Sequence, residues 1–203
     1  MERSNIINQL IETYDYHSYL EIGYGNGYTF RQINATSKIG VDIGKGTPPD
    51  DTTVIRMASS DYFKMLGEQG ASKFDIIFID GSHLCEDVEK DLTSALQFLK
   101  EEGTIVMHDC SPPNSFFQER SQSPYCGGWT GDVWKAFVKF RSSRPDLEMC
   151  VVDTDYGCGI VRFGTQDILN IDIDTDLEYT NLEKNRKEWL NLISTEEFTA
   201  RHG

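Results

Sequence analysis

Tyr19-Leu20-Glu21-Ile22-Gly23-Tyr24-Gly25-Asn26-Gly27 is the stretch that decides the fold. Leu20 and Ile22 read as the end of a buried strand, and three glycines at alternate positions follow at once. An apolar strand that runs into a glycine loop and then a helix builds a nucleotide-cradling turn. Glycine allows positive φ there and lets a ligand come close to the main chain. A dinucleotide turn spaced G-x-G-x-x-G needs glycine at position 28, where this chain has Tyr28. The pattern is instead Glu-x-Gly-x-Gly-x-Gly, with an acid two residues before the first glycine. The plainer alternative is a bare tight turn in an α/β domain.

Outward from this turn, apolar runs alternate with helical patterns. Ile6, Ile7, Leu10, Ile11 and Tyr14 recur at helical spacing, so residues 4–14 are expected to form an amphipathic helix that covers a sheet. Residues 28–34 should open the helix after the turn, with its N–H groups and positive dipole end facing an anionic ligand. Lys38–Asp42 reads as a second strand ending in an acid. Asp42 lies about twenty residues past the turn, where an acid meets ribose hydroxyls in nucleotide-binding α/β folds. Residues 43–52 read as a loop, and Val54–Met57 as a third strand, closed by Ala58, Ser59, Ser60 and Asp61. Phe74–Asp80 is the clearest strand. Its run of apolar residues implies burial on both faces and a central parallel position.

Val88, Leu92, Ala95, Leu96 and Leu99 mark the next helix, and Thr104–Met107 a fifth strand that ends in His108 and Asp109. Residues 111–130 break the rhythm with paired prolines, glycines and aromatics including Tyr125 and Trp129. Segments of this length usually carry function, and an acceptor lid is expected there, against an extra packing layer. A helix over 132–140 follows, then Met149–Val152 and Gly159–Phe163 as an antiparallel hairpin at the sheet edge around Asp155-Tyr156-Gly157. Residues 167–180 read as an acidic linker. Leu182, Trp189, Leu190 and Ile193 suggest a last helix. Strands alternating with helices give a parallel sheet covered on both sides.

The 203 residues suffice for one domain and one core, and 38% hydrophobic with 26% charged residues describe a globular rather than disordered chain. No apolar run approaches the ~18 residues of a membrane span, and residues 1–5 lack the plan of a signal peptide. Five cysteines without metal-like pairing read as reduced thiols, which points to a cytoplasmic protein without zinc. A net charge of −14 argues against nucleic acid, whose phosphates need a cationic face. The expected partner is a small-molecule acceptor, with no nucleic acid and no membrane. A homodimer is compatible with the sequence.

The Glu21–Gly27 pattern resembles the first motif of S-adenosylmethionine (SAM)-dependent methyltransferases. From residue 18 to 163 the order of elements is similar to the class I superfamily. The resemblance implies an α/β, Rossmann-like doubly wound sheet of order 3-2-1-4-5-7-6, strand 7 antiparallel, with helices on both faces. Within it, Phe74–Asp80, Gly103–Asp109 and Met57–Leu66 resemble small catechol-type O-methyltransferases and methyltransferases found beside sugar-modifying enzymes. The whole of 1–203 would then be one methyltransferase domain, with residues 1–17 carrying an N-terminal helix and 165–203 a linker and C-terminal helix. Carried over residue by residue, Glu21 would reach the methionyl amino group and Gly23, Gly25 and Gly27 would line the amino-acid end of SAM. Asp42 would take the ribose, and Ser59 and Ser60 would sit by the adenine. Asp80 matches the strand 4 aspartate that binds magnesium in that family, and His108 and Asp109 stand where two further ligands follow strand 5. His108 replaces the family's usual carboxylate, and imidazole suits softer ions than an all-oxygen site. His83 takes the place of the family's lysine base.

The chemistry calls for such groups. An acceptor hydroxyl must lose its proton to a base such as histidine, or bind a metal that lowers its pKa. His83, Asp80, His108 and Asp109 all fall at carboxyl ends of parallel strands, where α/β folds place their sites. A SAM-dependent O-methyltransferase acting on a sugar or glycoside, with Mg or Mn as the candidate ion, is the leading expectation. The alternatives are a SAM-binding protein without catalysis and an NAD-linked oxidoreductase, which Tyr28 counts against.

Overall fold

The computed structural model describes residues 1–44, 53–122 and 128–203. Most of the expected loop 43–52, and residues 123–127 of the aromatic segment with Tyr125, Cys126 and Gly127, lie outside the described residues.

Eight strands form one sheet: β1 (Ser18–Ile22), β2 (Ser37–Asp42), β3 (Thr53–Arg56), β4 (Phe74–Ile79), β5 (Leu99–Met107), β6 (Leu147–Val152), β7 (Cys158–Phe163) and β8 (Leu192–Ile193). Their order is β3-β2-β1-β4-β5-β7-β6-β8. β1 to β5 are mutually parallel, and β7 runs antiparallel to both β5 and β6. This is the expected order with one strand added.

The apolar run in β4 explains its central place. Ile77 and Ile79 pack on one face of the sheet with the helices α3 (Ser59–Gln69), α4 (Cys85–Gln97), α5 (Val133–Ser143) and α6 (Tyr179–Trp189). Ile76 and Phe78 pack on the other face with α1 (Arg3–Tyr14), α2 (Tyr28–Gln32) and α7 (Thr195–His202). Ile76, Ile77 and Phe78 have no exposed surface. Truncating one of these to alanine would cost ~2–5 kcal/mol, because both the transfer energy and a cavity are at stake. In α4 the helical spacing of Val88, Leu92 and Ala95 buries one stripe against the sheet. Trp134 of α5 and Trp189 of α6 stack 6.4 Å apart and fasten α6 to the same layer.

Three expectations need correction. Leu99 belongs to β5, not to the preceding helix: α4 stops at Gln97, and the chain pairs with Phe74 before a register shift carries it to Thr104. The 149–163 hairpin is not the edge, because Leu192 and Ile193 leave the helical pattern and pair with Val151 and Val152. A further helix, α7, then starts at Ser194, whose hydroxyl accepts from Glu197 N–H in a capping box. Within the acidic linker, Leu169 and Leu177 are buried, so that stretch contributes two anchors to the core.

Candidate functional site

The carboxyl ends of β1, β2 and β4 leave a cavity of about 490 Å³, within the range of small-molecule pockets. Gly23, Asp42, Met57, Ser59, Ser60, Gly81, Ser82 and Asp91 are among its lining residues. Gly23 has φ 91°, and a Cβ there would lie 2.0 Å from the Asp80 carbonyl oxygen. Only glycine lets the β1 turn pass this close to the end of β4. Gly25 N–H donates to Asp42 at 2.7 Å, so the β2 acid fastens the glycine turn as well as facing the cavity. Gly27, also at positive φ, caps α2, which has only five residues instead of the expected seven.

Asp91 was not singled out in the sequence. It reaches the cavity from α4, and burial raises its carboxyl to about 6 although a hydrogen bond from Ser59 opposes this.

Glu21 stands apart from the cavity. Its carboxylate is buried and accepts a hydrogen bond from the Tyr19 hydroxyl. Burial raises its pKa to about 8; the Tyr19 bond and Arg3 pull the other way and Asp80 adds to the rise.

Asp80, His83, His108 and Asp109 come together at one rim, beside the cavity. His83 Nε2 lies 3.8 Å from Asp80 Oδ1, and its Nδ1 3.2 Å from Asp109 Oδ2. His108 Nδ1 lies 3.4 Å from Asp80 and 3.2 Å from Asp109. One donor atom each from Asp80, His83 and Asp109 fits within 4.8 Å of the others. His83 Nδ1 is buried and makes no hydrogen bond, since its approach to Asp109 lacks the alignment of one. An imidazole with one carboxylate near each ring nitrogen, and Nδ1 without a hydrogen bond, fits a site for a cation or a transferable proton. His108 was expected as the third ligand, but its Nε2 faces Arg3 Nη1 at 2.8 Å and Asp155 at 3.3 Å.

Arg3 and Asp155 are the residues that sequence reasoning missed. Arg3 sits at the start of α1, a helix expected only to cover the sheet. Its guanidinium donates to both oxygens of Asp155, at 2.9 and 2.8 Å, and to Thr29 Oγ1 at 3.1 Å. Its backbone N–H also donates to Asp155. Burial alone would depress the His108 imidazole, but hydrogen bonds with Asp109, Asp155 and Asp80 hold it well above its ordinary value. The Asp155 carboxyl, although half-buried, is pulled well below the usual range by His108 and Arg3.

Aromatic rings stand around these charges. Trp129 stacks on His83 with centroids 4.6 Å apart and planes 12° from parallel. Its indole N–H donates to Glu119 O, and Thr130 and Gly131 N–H both donate to Phe117 O. The described parts of 111–130 are thus fastened to the rim. Four of the five cysteines, Cys85, Cys110, Cys150 and Cys158, are buried free thiols. Burial pushes Cys85 and Cys158 up to about 12, which removes them as nucleophiles. Among the described residues, no helix is long and apolar enough to cross a membrane.

Comparison with known proteins agrees with this geometry. Residues 20–110 match a family model described as a methyltransferase domain. No curated protein matches the chain. Among solved structures, it is similar to an O-methyltransferase from Bacillus cereus in complex with SAH, at 14% identity, covering 78% of this chain and 79% of that one, with TM-score 0.59. A putative caffeoyl-CoA O-methyltransferase from Staphylococcus aureus gives 16% identity, 79% and 82% coverage and TM-score 0.59. The MycE methyltransferase from the mycinamycin biosynthetic pathway, in complex with Mg and SAH, gives 16% identity, 81% and 50% coverage and TM-score 0.53. The chain has the class I SAM-dependent methyltransferase fold.

Proposed function

We propose that this chain, a class I SAM-dependent methyltransferase in fold, transfers a methyl group from SAM to a hydroxyl of a small polar acceptor such as a sugar or glycoside. One observation carries the reading: the glycine turn and the Asp80/His83/Asp109 cluster meet at one rim, with Gly23 directly against the Asp80 carbonyl. The cavity beside them has the volume and the lining for an adenosyl group, with Asp42 at the ribose and Ser59 and Ser60 towards the base. SAM supplies an electrophilic methyl on its sulfonium. The residues at the rim orient the acceptor in line with it, and such alignment can contribute several kcal/mol.

His83 is assigned the hydroxyl proton at Nε2, because its Nδ1 is buried against Asp109. Asp80 and Asp109 then stabilise the imidazolium. The same three side chains would hold a divalent ion, Mg²⁺ or Mn²⁺, whose bound form lowers the pKa of a hydroxyl. His108, engaged by Arg3 and Asp155, orients the two aspartates in either case. The described parts of 111–130 form the acceptor-side cover through Phe117 and Trp129.

The test is transfer of tritiated methyl from SAM into a panel of phenols, sugars and glycosides, with and without EDTA. Labelled product is expected. Loss of transfer in EDTA with recovery on added Mn²⁺ would assign the ion to the rim, and indifference would assign His83 as the base. No transfer to any acceptor, with SAH bound, would favour a SAM-binding protein without catalysis. Oxidation of the panel with NAD in place of SAM would favour the dehydrogenase.

A further inference from the structure

Tyr156 occupies a position that its turn would give to glycine. β6 and β7 are joined by residues 153–157, and Gly157 N–H donates to Thr154 O at 2.8 Å. The two central residues, Asp155 and Tyr156, have φ 47° and 61°. A hairpin turn with positive φ at both central positions prefers Asn-Gly or Asp-Gly. The aspartate conforms, but a bulky side chain with positive φ is an outlier. Burial repays it only in part, since Tyr156 remains 44% exposed. The backbone does not need it either. Ser111 N–H donates to Tyr156 O and Cys110 N–H to Gly157 O, bonds that any residue would accept.

What the tyrosine does bring is its ring. The ring stands edge-on to His108 at 6.5 Å and tilts against Phe117 at 5.7 Å. A Cβ at Gly128 would lie 2.5 Å from the Phe117 ring and 3.2 Å from the Tyr156 hydroxyl, so glycine there makes room for both. The next residue is Trp129, stacked on His83. Aromatic faces therefore run from the hairpin turn to the proton-accepting imidazole, above carboxylates. Backbone strain kept at a residue whose ring packs among rim groups yet leaves nearly half its surface open points to a ligand contact.

We propose that Tyr156 is a specificity-determining residue of the acceptor site, its ring being the platform on which the acceptor ring lies over His108. The proposal rests on the methyltransferase reading. Apolar or CH-bearing faces of a ring stack on the aromatic surface, while the carboxylates below disfavour an anionic acceptor. A sugar ring and a phenolic ring share this chemistry.

Tyr156→Gly tests it, because glycine suits the turn and preserves its backbone bonds. Tyr156→Phe keeps the ring. SAH is titrated first by calorimetry, then catechol and methyl β-D-glucopyranoside are each titrated into the SAH-saturated protein with Mg²⁺, and thermal unfolding is recorded. At least one ring probe is expected to bind wild type and Tyr156→Phe alike, and Tyr156→Gly at least tenfold more weakly. Tyr156→Gly should bind SAH within twofold of wild type and unfold at the same or a higher temperature. Preference for the glucoside or for catechol identifies the kind of ring. A lowered unfolding temperature in Tyr156→Gly would overturn the proposal by giving the ring a packing role. So would equal affinity of the ring probes for all three proteins, or no binding of either probe to SAH-bound wild type. Failure of SAH itself to bind would instead overturn the methyltransferase reading, and with it this proposal.

Discussion

The two halves of the carboxyl rim differ in what stands at their left-handed backbone positions. On the cofactor side, β1, β2 and β4 meet through glycine, and Gly23 lets the turn touch the Asp80 carbonyl. On the acceptor side Gly131 and Gly157 also allow close approaches, but three further positive-φ positions, Asp109, Asp155 and Tyr156, carry side chains. The first half removes side chains so that a ligand can lie on the backbone. The second also keeps side chains at strained positions, with Arg3 and His108 in contact with Asp155 and with one another, and Asp80 in contact with His108; under the proposed function those side chains serve the acceptor. A shared fold provides the first arrangement, whereas the second is particular to what the site must hold.

The largest effect should fall on the acceptor side, in rate. Asp80→Asn and His83→Gln are each expected to lower methyl transfer by about 10²- to 10⁴-fold, with SAH affinity unchanged in His83→Gln. Wild-type turnover in both variants would move the reactive centre elsewhere. On the cofactor side, Gly23→Val should act through the fold. Positive φ and a collision with backbone together should cost at least ~3 kcal/mol, read by urea denaturation, along with SAH binding. A variant as stable as wild type would erase the proposed contrast between the halves.

Glu21 sharpens the comparison through pH. The folded protein holds its proton up to about pH 8, whereas an unburied glutamate of the unfolded chain releases it near 4.5. Between those values the native state binds the extra proton, so stability should fall as pH rises and be complete only below 4.5. Glu21→Gln, which can still accept from Tyr19, should flatten this slope and gain on the order of a few kcal/mol at pH 9. An unchanged slope in urea melts from pH 5 to 9 would show that Glu21 ionises normally. Arg3→Ala should be the mildest, about 1–3 kcal/mol, because Arg3 is only half-buried. Its loss should also weaken Mn²⁺ binding at the rim if Arg3 and His108 orient Asp80; unchanged Mn²⁺ affinity would confine Arg3 to bracing α1.

What the sequence made legible follows the same division. The glycine spacing and the four-residue apolar run of β4 are local signals, and both lie where expected, as do the strand-end acids Asp42, Asp80 and Asp109. Arg3 meets Asp155 across 152 positions, and no local pattern marks such a pair. Tyr156 was read only as part of a turn, because a left-handed tyrosine leaves no trace in composition or periodicity. The turn chemistry offered the one clue: Asp-Tyr stands where Asp-Gly would be easiest. Ile193 misled because two apolar residues fit a helix stripe as well as a two-residue strand. His108 turns its Nδ1 towards Asp80 and Asp109, while Arg3 from the far N-terminus and Asp155 meet its Nε2, a pairing that no local pattern announced.

The most direct test is calorimetric titration of SAH into the wild type and into Asp42→Ala. The account predicts one site per chain in the wild type and at least tenfold weaker binding in the variant, which loses both the cavity carboxylate and its bond to Gly25. No binding heat with SAH, or tighter binding of NAD than of SAH, would contradict it.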